Sequence, residues 1–434
     1  MTTLLSGWGR YPTLPATVSP VRNPRVLAAR IGAAGTPVIA RGFGRSYGDA
    51  SLGAQVLDMT PLDHLLEFDA ERGELTCGAG LSLASILDWV VPRGWFLPVL
   101  PGTGAVSVGG AIASDVHGKN HHHDGSFSDH VLAFDLLSAD GVVLSCTRST
   151  HGELFAATAG GMGLTGLILN ARLRLRRISS SDIDQRTLAA RGLDGLLDLL
   201  GEHDDAHYSV AWLDASGGAR GVRALVMLGE HAEAGALVPA SRRTLTVPCV
   251  APRALLSRAF LRAFNTLYFR RGATRPRAHR VHYANYFFPL DAVAAWPRLY
   301  GRDGFVQHQS VIPHEGAHTA LGAMLEAVAD SAIAVPLAVL KRLGRDNGRP
   351  LSFPRAGVTL ALDLPWHAGT AALCARLDAI VADHGGRQYL AKDACMSRAI
   401  FRRGYPTWSD FASWRERSGA RARFQSALSE RLGL

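Results

Sequence analysis

Three clusters of glycine most constrain how this chain of 434 residues can fold. They occupy residues 41–49, 100–120 and 160–166, and short apolar runs separate them. Glycine permits positive φ and lets backbone N–H groups approach a ligand closely, so clustered glycines suit the binding of a pyrophosphate. One such cluster alone is as typical of structural turns as of a ligand site. Three in succession favour a single extended anionic ligand.

The surrounding residues predict an α+β fold. Short strands are expected at 36–40, 56–59, 75–77, 132–138, 142–146 and 167–176, with helices at 83–91 and from 152. Asp140-Gly141 predicts a hairpin turn, and residues 100–120 read as one long turn-rich stretch. The first cluster is neither a Rossmann motif, since residues 46–49 read as a turn, nor a P-loop, since it lacks Gly-Lys-Ser/Thr. Beyond residue 179 longer helices and strand pairs follow, and residues 405–434 read as helical.

The net charge of +9 is concentrated in one segment. Residues 241–280 hold ten arginines and no acidic residue, with apolar residues at helical spacing between 255 and 268. Two interpretations remain open: a basic amphipathic segment on an anionic membrane or a phosphorylated lipid, or a solvated helix with its apolar side on the core. A nucleic-acid-binding protein would instead interleave aromatic residues with a broad basic face, and no nucleic acid is predicted.

Lysine is rare in this arginine-rich chain. Of 46 basic residues only Lys119, Lys341 and Lys392 are lysines, and each becomes a site candidate because a compact, titratable ammonium differs chemically from a guanidinium. The five cysteines show no CxxC spacing, and no HExxH motif is present, so no metal is predicted. No apolar run is long enough to span a membrane and no secretory pattern opens the chain, which predicts a soluble, cytoplasmic protein.

Several motifs in a fixed order resemble those of the vanillyl-alcohol-oxidase-type flavoproteins, which carry a PCMH-type FAD-binding domain. Over nearly the whole chain they are similar to the family of decaprenylphosphoryl-β-D-ribose 2-oxidases, the flavin subunits of a ribose-to-arabinose epimerase that supplies cell-wall arabinan. The motifs are residues 41–49, 101–103, 108–113, 117–121, 163–166, 288–291, 304–309, 351–354 and 391–393.

The resemblance implies an FAD-binding domain at residues 1–178 and a substrate domain, an antiparallel sheet with helices, at 179–386. Residues 387–434 would return to the FAD domain. Many sugar oxidases of this superfamily carry a flavin-linked histidine where this sequence has Arg45, so the FAD is expected to be non-covalent. The implied FAD site comprises Arg41, Gly42, Gly44, Arg45, Ser46, Tyr47, Gly48, Gly102, Ser107, Val108, Gly109, Gly110, Ser114, Val116, His117, Ile168 and Tyr389.

The implied reaction is oxidation of the C2 hydroxyl of a polyprenyl-phosphoryl ribofuranose, with an NADH-dependent short-chain reductase as the second epimerase subunit. Lys392 is the first candidate for handling the hydroxyl proton, either as a neutral amine or as an ammonium. Tyr47 is the second catalytic candidate, and Tyr47 and Tyr389 would flank the flavin ring. His117 is expected to contact flavin, and His121, His122 and His123 to be exposed. The implied substrate-binding residues are Gln307, Gln309, Lys341, Thr359 and Lys392.

Two residues depart from the family pattern, and a second hypothesis stays open beside the first. Ala361 stands where mycobacterial members carry an active-site cysteine, and Val116 is bulky where some oxygen-reactive relatives are small. A soluble alditol or aldonolactone oxidase or dehydrogenase of the same superfamily is the second hypothesis, although such enzymes usually carry the covalent histidine. The basic segment at 241–280 suggests peripheral contact with the inner face of the membrane.

Overall fold

The computed structural model describes residues 2–33, 35–241, 244–274 and 278–434, and it has the predicted α+β architecture. Four of the arginines in the basic segment, at 242, 243, 275 and 277, lie outside the described residues. The strands of residues 1–178 are β1 (Thr2–Ser6), β2 (Thr13–Pro20), β3 (Ile39–Arg41), β4 (Gln55–Asp58), β5 (Leu65–Asp69), β6 (Glu74–Gly78), β7 (Trp95–Phe96), β8 (Val131–Leu137), β9 (Val143–Thr147), β10 (Leu167–Arg174) and β11 (Arg176–Arg177). The helices are α1 (Pro24–Gly32), α2 (Leu83–Val90), α3 (Val108–Ala113), α4 (His121–Asp124) and α5 (Gly152–Thr158).

Two sheets carry the glycine clusters. One has the order β1-β2-β4-β3, in which β4 runs parallel to both neighbours, and the other is antiparallel with the order β5-β6-β10-β8-β9. In β10 the buried Ala171 and Leu173 alternate with the exposed Arg172 and Arg174, the pattern of a strand with one face on a core. The first glycine cluster begins where β3 ends, and the third leads into β10.

Helix α3 corrects the prediction of one turn-rich stretch at 100–120. Ser107 caps it, since its Oγ accepts from the backbone N–H of Gly110 at 3.2 Å. Val108, Ala111 and Ile112 are buried, and this packing outweighs the poor helix propensity of the two glycines.

The second half of the chain forms an eight-stranded sheet with the order β16-β12-β14-β13-β19-β20-β18-β21. Its strands are β12 (Asp182–Arg191), β13 (Tyr208–Asp214), β14 (Arg223–His231), β16 (Ala278–His282), β18 (Phe305–Ile312), β19 (Ala338–Leu343), β20 (Gly357–Pro365) and β21 (Arg387–Gln388). A separate pair consists of β15 (Leu245–Thr246) and β17 (Val293–Ala294). The helices are α6 (Gly192–Glu202), α7 (Gly218–Gly221), α8 (Arg258–Ala273), α9 (Tyr283–Phe287), α10 (His314–Asp330) and α11 (Thr370–Asp383).

The two faces of this sheet have different neighbours. Leu340, Leu360 and Leu362 face one side, where they pack in a core with residues of α6, α10 and α11. Side chains alternate between the faces of a strand, so Val339, Lys341 and the other alternate residues face the opposite side. That second face forms one wall of the candidate site.

The C-terminal helices are α12 (Arg398–Gly404), α13 (Trp408–Arg417), α14 (Ala420–Arg423) and α15 (Ala427–Leu432). They pack on the first sheet: Phe401, Phe411 and Leu428 share a core with Ile39 and Val56. The predicted boundary at 386/387 falls just before β21, which pairs with β18 at the edge of the eight-stranded sheet.

Candidate active site

One cavity of about 470 Å³ lies between the glycine clusters and the eight-stranded sheet. This volume is in the usual range of small-molecule and cofactor sites. All three clusters contribute to its wall, although they are far apart in the sequence. The contributing glycines are Gly42, Gly44, Gly102, Gly109, Gly110, Gly118, Gly163 and Gly166.

Close backbone packing around the cavity requires glycine at two positions. A Cβ at Gly42 would overlap the Ser107 hydroxyl, so only glycine lets the first cluster lie against the cap of α3. Gly44 has φ +62, a conformation that side-chain-bearing residues rarely adopt. A loop without side chains exposes its backbone N–H groups to the cavity, and such a loop fits the phosphates of a dinucleotide cofactor such as FAD.

Most residues predicted for the site lie on the wall of this cavity. They are Gly42, Gly44, Arg45, Ser46, Tyr47, Gly102, Ser107, Gly109, Gly110, Ser114, Val116, His117, Ile168, Gln307, Gln309, Lys341, Tyr389 and Lys392.

Four predicted residues do not line the cavity. The Arg41 guanidinium points away and donates to the Ser6 carbonyl at 2.8 Å. Gly48 packs against the Asp393 carbonyl, and Val108 is fully buried in the core. Thr359 is buried on the same face of the sheet as Lys341, and its hydroxyl accepts from Gln309 Nε2 at 3.3 Å.

Arg45 stands where many related sugar oxidases carry a flavin-linked histidine, and contacts with the protein hold its side chain in place. Its guanidinium stacks on the Trp8 ring, 3.8 Å from the centroid, and its Nε donates to the Ala105 carbonyl at 3.2 Å. Burial lowers the pKa of Arg45, while the charge of Asp291 opposes that shift. Neither Trp8 nor Asp291 was predicted to lie near Arg45, because no local pattern relates residue 8 or the motif 288–291 to residue 45.

Lys392 and Tyr47 lie side by side. Nζ of Lys392 is 3.7 Å from the centroid of the Tyr47 ring, and the Tyr47 N–H donates to the Ala391 carbonyl at 2.9 Å. Burial is the main cause that lowers the pKa of Lys392 to about 7; Asp363 opposes the shift and Lys341 adds to it. Lys392 therefore exchanges between amine and ammonium near neutral pH, which suits proton transfer.

Asp363 is a buried carboxyl at the site that sequence reasoning missed. It is fully buried, and it accepts hydrogen bonds from Gln307 Nε2 at 2.5 Å and Tyr300 Oη at 2.6 Å. Burial raises the pKa of this carboxyl to about 6. Gln307 and Asp363 are direct partners across β18 and β20, so a correct strand pairing would have been the signal that relates them.

His117 connects the cofactor side to the sheet. Its Nε2 accepts from Gln309 Nε2 at 3.0 Å, so the ring proton is on Nδ1, which has no partner among the described residues. Burial keeps the pKa of His117 well below its ordinary value, and the ring is therefore neutral. An unpaired buried N–H donor beside a cavity fits a polar group of a bound cofactor or substrate.

His121 corrects one prediction. It was expected to be exposed with its neighbours, yet it is buried because its Nδ1 accepts from the Gly344 N–H at 2.9 Å and its Nε2 bonds to the Ser126 hydroxyl at 3.2 Å. His123 is exposed and His122 is half-buried.

The sheet wall is polar on β18 and mostly apolar on β13 and β14. Gln307 and Gln309 are on β18, Lys341 is on β19, and an apolar surface that sequence reasoning missed extends from β19 to β14. That apolar surface consists of Val210, Trp212, Met227, Leu337 and Val339, with Tyr268 of α8 on the Trp212 ring at a centroid distance of 4.7 Å.

Comparison with known proteins agrees with this geometry. Residues 25–147 match the family model described as an FAD binding domain. A decaprenylphosphoryl-beta-D-ribose oxidase of Mycolicibacterium smegmatis is 33% identical over 99% of this chain and 97% of the relative. The chain belongs to the decaprenylphosphoryl-beta-D-ribose oxidase family. It is therefore an FAD-binding oxidoreductase.

A second relative is uncharacterised, and a third matches a smaller part of this family member. A Streptomyces coelicolor protein described only as uncharacterized is 36% identical over 82% of this chain and all of its own length. The L-gulonolactone oxidase of Mus musculus is 30% identical over 37% of this chain and 36% of the relative. The likeness to aldonolactone oxidases thus spans a minor part of this family member.

Helix α8 gives this family member an exposed apolar surface. Leu261 and Phe269 are buried, whereas Phe264 is 52% and Leu267 68% exposed. The predicted helix in the basic segment is present, but only part of its apolar pattern faces the core. Among the described residues, no helix combines the length and hydrophobicity required to cross a membrane.

Proposed function

We propose that this chain oxidises the C2 hydroxyl of a polyprenyl-phosphoryl-β-D-ribofuranose to the 2-keto sugar, the first half of epimerisation to the arabinose form. The observation that carries the proposal is the order of chemistry along the sheet wall. A polar end near Lys392 suits a sugar, the Lys341 cation suits a phosphate, and the apolar surface beyond suits a prenyl chain.

The dimensions of the sheet support this order. Val339 is the direct partner of Ala361 on one side and of Trp212 on the other, and Ala361 pairs with Gln309. Neighbouring strands are about 4.8 Å apart, so roughly 14 Å separates Gln309 from Trp212. A free alditol or lactone is too short to reach from one to the other, whereas a lipid-linked sugar can contact both.

The residues at the polar end can manage the proton of the reacting hydroxyl. When bound, FAD supplies the hydride acceptor at its N5 atom. Lys392 in its neutral form accepts the hydroxyl proton, and the Asp363 carboxylate behind Gln307 steadies the ammonium that forms. Gln307 and Gln309 are held by Asp363 and His117, which leaves them oriented to bind sugar hydroxyls.

The cofactor is proposed to be bound without a covalent bond. Arg45 takes the place of the flavin-linked histidine, and its guanidinium, stacked on Trp8, is not a nucleophile at physiological pH. Acid precipitation of the holoenzyme should leave the flavin in the supernatant. Flavin that stays with the precipitated protein would contradict a non-covalent site.

The location and partners follow from the substrate. We expect a cytoplasmic protein that contacts the inner face of the membrane through residues 241–280, where Phe264 and Leu267 are exposed among arginines. A separate NADH-dependent short-chain reductase would return hydride to the 2-keto sugar and complete the epimerisation.

Anaerobic flavin reduction tests the substrate. The oxidised holoenzyme is mixed with farnesyl-phosphoryl ribose, with xylitol or with L-gulonolactone, and bleaching of the flavin band is followed in a stopped-flow instrument. We expect rapid bleaching by the lipid-linked sugar and a product two hydrogens lighter by mass spectrometry. Bleaching by the alditol or lactone alone would replace this proposal by the aldonolactone or alditol oxidase alternative.

A further inference from the structure

The charges on the cavity wall do not balance. Among the described residues that line it, Arg45, Lys119, Lys341 and Lys392 are cationic groups and Asp291 is the single carboxylate. Asp291 accepts from the Gly104 N–H at 2.8 Å and acts electrostatically on Arg45. Lys392 has Asp363 and the Tyr47 ring nearby. Lys119 and Lys341 are left without an acidic partner.

Lys119 is fixed in place but not neutralised. Its Nζ donates to the Tyr286 carbonyl and lies 4.2 Å from the centroid of the Tyr286 ring, while the Ser209 N–H donates to the Lys119 carbonyl at 2.9 Å. An ammonium has three N–H donors. Only one is used by the described residues, so two remain for a ligand in the cavity.

Lys341 lines the same cavity as Lys119. It is on β19, two residues from Val339 and directly across from Thr359 on β20. The end of β19 is joined to the segment after Lys119 by the bond from the Gly344 N–H to His121 Nδ1. Burial lowers the pKa of Lys119 to about 7, and Lys341 is close enough to add to this shift.

A pair of buried cations without a counter-ion is costly, and an anionic ligand removes that cost. We propose that Lys119 and Lys341 together form the subsite for the phosphate group of the lipid-linked substrate. This assignment rests on the proposed function, and it adds Lys119, which the family resemblance did not assign. It puts the phosphate on β19, which lies between the strand of Gln309 and the strand of Trp212.

Binding without turnover tests the subsite. The wild-type holoenzyme is titrated with farnesyl phosphate and with farnesol, and the perturbation of the flavin spectrum and the heat of binding are measured. We expect farnesyl phosphate to bind at least about tenfold more tightly than farnesol, since a hydrogen bond to a charged group is involved. Equal affinities would overturn the proposal without any variant being needed.

Variants of the two lysines then test whether these residues cause the difference in affinity. K119M and K341M should each weaken farnesyl phosphate binding about tenfold or more and change farnesol binding less than twofold. R72M, which removes an exposed cation far from the cavity, is the matched control and should bind both like wild type. K119R and K341R should recover part of the affinity, because they restore the charge.

The flavin content shows whether these lysines bind the phosphate of the substrate or the pyrophosphate of FAD. The lysine variants should keep the wild-type ratio of FAD to protein; loss of FAD with unchanged farnesyl phosphate affinity would mean that these lysines bind the cofactor pyrophosphate, and would overturn the proposal. Equal losses of affinity for farnesyl phosphate and farnesol would also overturn the proposal, because they would indicate that the lysines only maintain the packing of the cavity wall. A wild-type enzyme that binds farnesyl phosphate through these lysines, yet is not reduced by the ribosyl substrate, would contradict the sugar assignment only.

Discussion

At the scale of single residues, the three lysines are the best example of what composition can and cannot reveal. Their rarity identified them as candidates, and all three line one cavity. Their differences were invisible in the sequence. Lys392 lies on the Tyr47 ring near Asp363, whereas Lys119 is anchored to the Tyr286 carbonyl. These neighbours come from strands and loops whose pairing no local pattern specifies.

The titration of Lys392 predicts how flavin reduction depends on pH. Burial lowers its pKa from 10.5 to about 7, with Lys341 adding to the shift and Asp363 opposing it. If the neutral amine accepts the hydroxyl proton, the rate constant of anaerobic flavin reduction rises as pH increases through about 7 and then levels off. In K392M this rate constant should fall by about 10²–10⁴-fold and the step near pH 7 should disappear. A variant that keeps the step would assign it to another group.

The same shift predicts that Lys392 costs stability. Its folded pKa lies below the unfolded value, so the penalty is complete below pH 7 and is lost as pH rises from about 7 to 10.5. In FAD-free protein at pH 6, K392M should therefore melt at a higher temperature than wild type, and the gap should narrow toward pH 10. Thermal unfolding by circular dichroism across this range makes the test. A lower melting temperature for K392M at pH 6 would contradict it.

At the scale of elements, local signals predicted the regular pieces well. Asp140-Gly141 forms the expected turn, with Gly141 at φ +85, between β8 and β9. Helix α3 was missed because adjacent glycines are poor helix formers, and its formation depends on the Ser107 cap and on burial. Most of the candidate site residues were identified through motifs, but the apolar sheet wall was not, because its strands are adjacent only after folding.

Helix α15 holds the loop that carries Lys392. Arg431 pairs with Asp49 at 2.8 Å and with Asp393 at 2.8 Å, and these carboxylates follow Tyr47 and Lys392 in the sequence. Breaking a buried ion pair by removing one partner costs about 3 kcal/mol. R431M should therefore lower the free energy of unfolding by about that amount and slow flavin reduction, as Tyr47 and Lys392 lose their mutual alignment.

The matched control for this element is R421M. Arg421 forms an exposed pair with Glu416 at 3.0 Å, and such pairs are worth less than about 1 kcal/mol. Denaturant unfolding and stopped-flow reduction of both variants decide the matter. If R431M were destabilised no more than R421M, the ion pairs would not be what positions this loop.

At the scale of the whole molecule, helix α8 contacts the apolar wall of the cavity on one side and exposes apolar residues to solvent on the other. Tyr268 reaches the apolar wall at Trp212, while Phe264 and Leu267 on the same helix face solvent. A lipid leaving a bilayer at this helix would therefore meet the apolar end of the cavity first. The sequence predicted a basic amphipathic segment but left its two interpretations open, since hydrophobic spacing does not state which side is covered.

Membrane contact is predicted to depend on these exposed residues. F264D/L267D should abolish cosedimentation with vesicles containing phosphatidylglycerol, because charge replaces apolar area at the interface. Flavin content and reduction by a water-soluble short-chain substrate should stay at wild-type levels. L4D, at a residue 74% exposed on β1, is the matched control and should sediment like wild type. Unchanged sedimentation of the double variant would remove α8 from the proposed contact.

The central claim is that this FAD-binding oxidoreductase removes hydride from C2 of a lipid-linked ribose. Three substrates carrying deuterium at C1, C2 or C3 of the ribose test it most directly, with anaerobic flavin reduction measured for each against the unlabelled compound. We expect slower reduction with deuterium at C2 and unchanged rates with deuterium at C1 or C3. An isotope effect at C1 or C3, or none at C2 when the chemical step limits the rate, would contradict it.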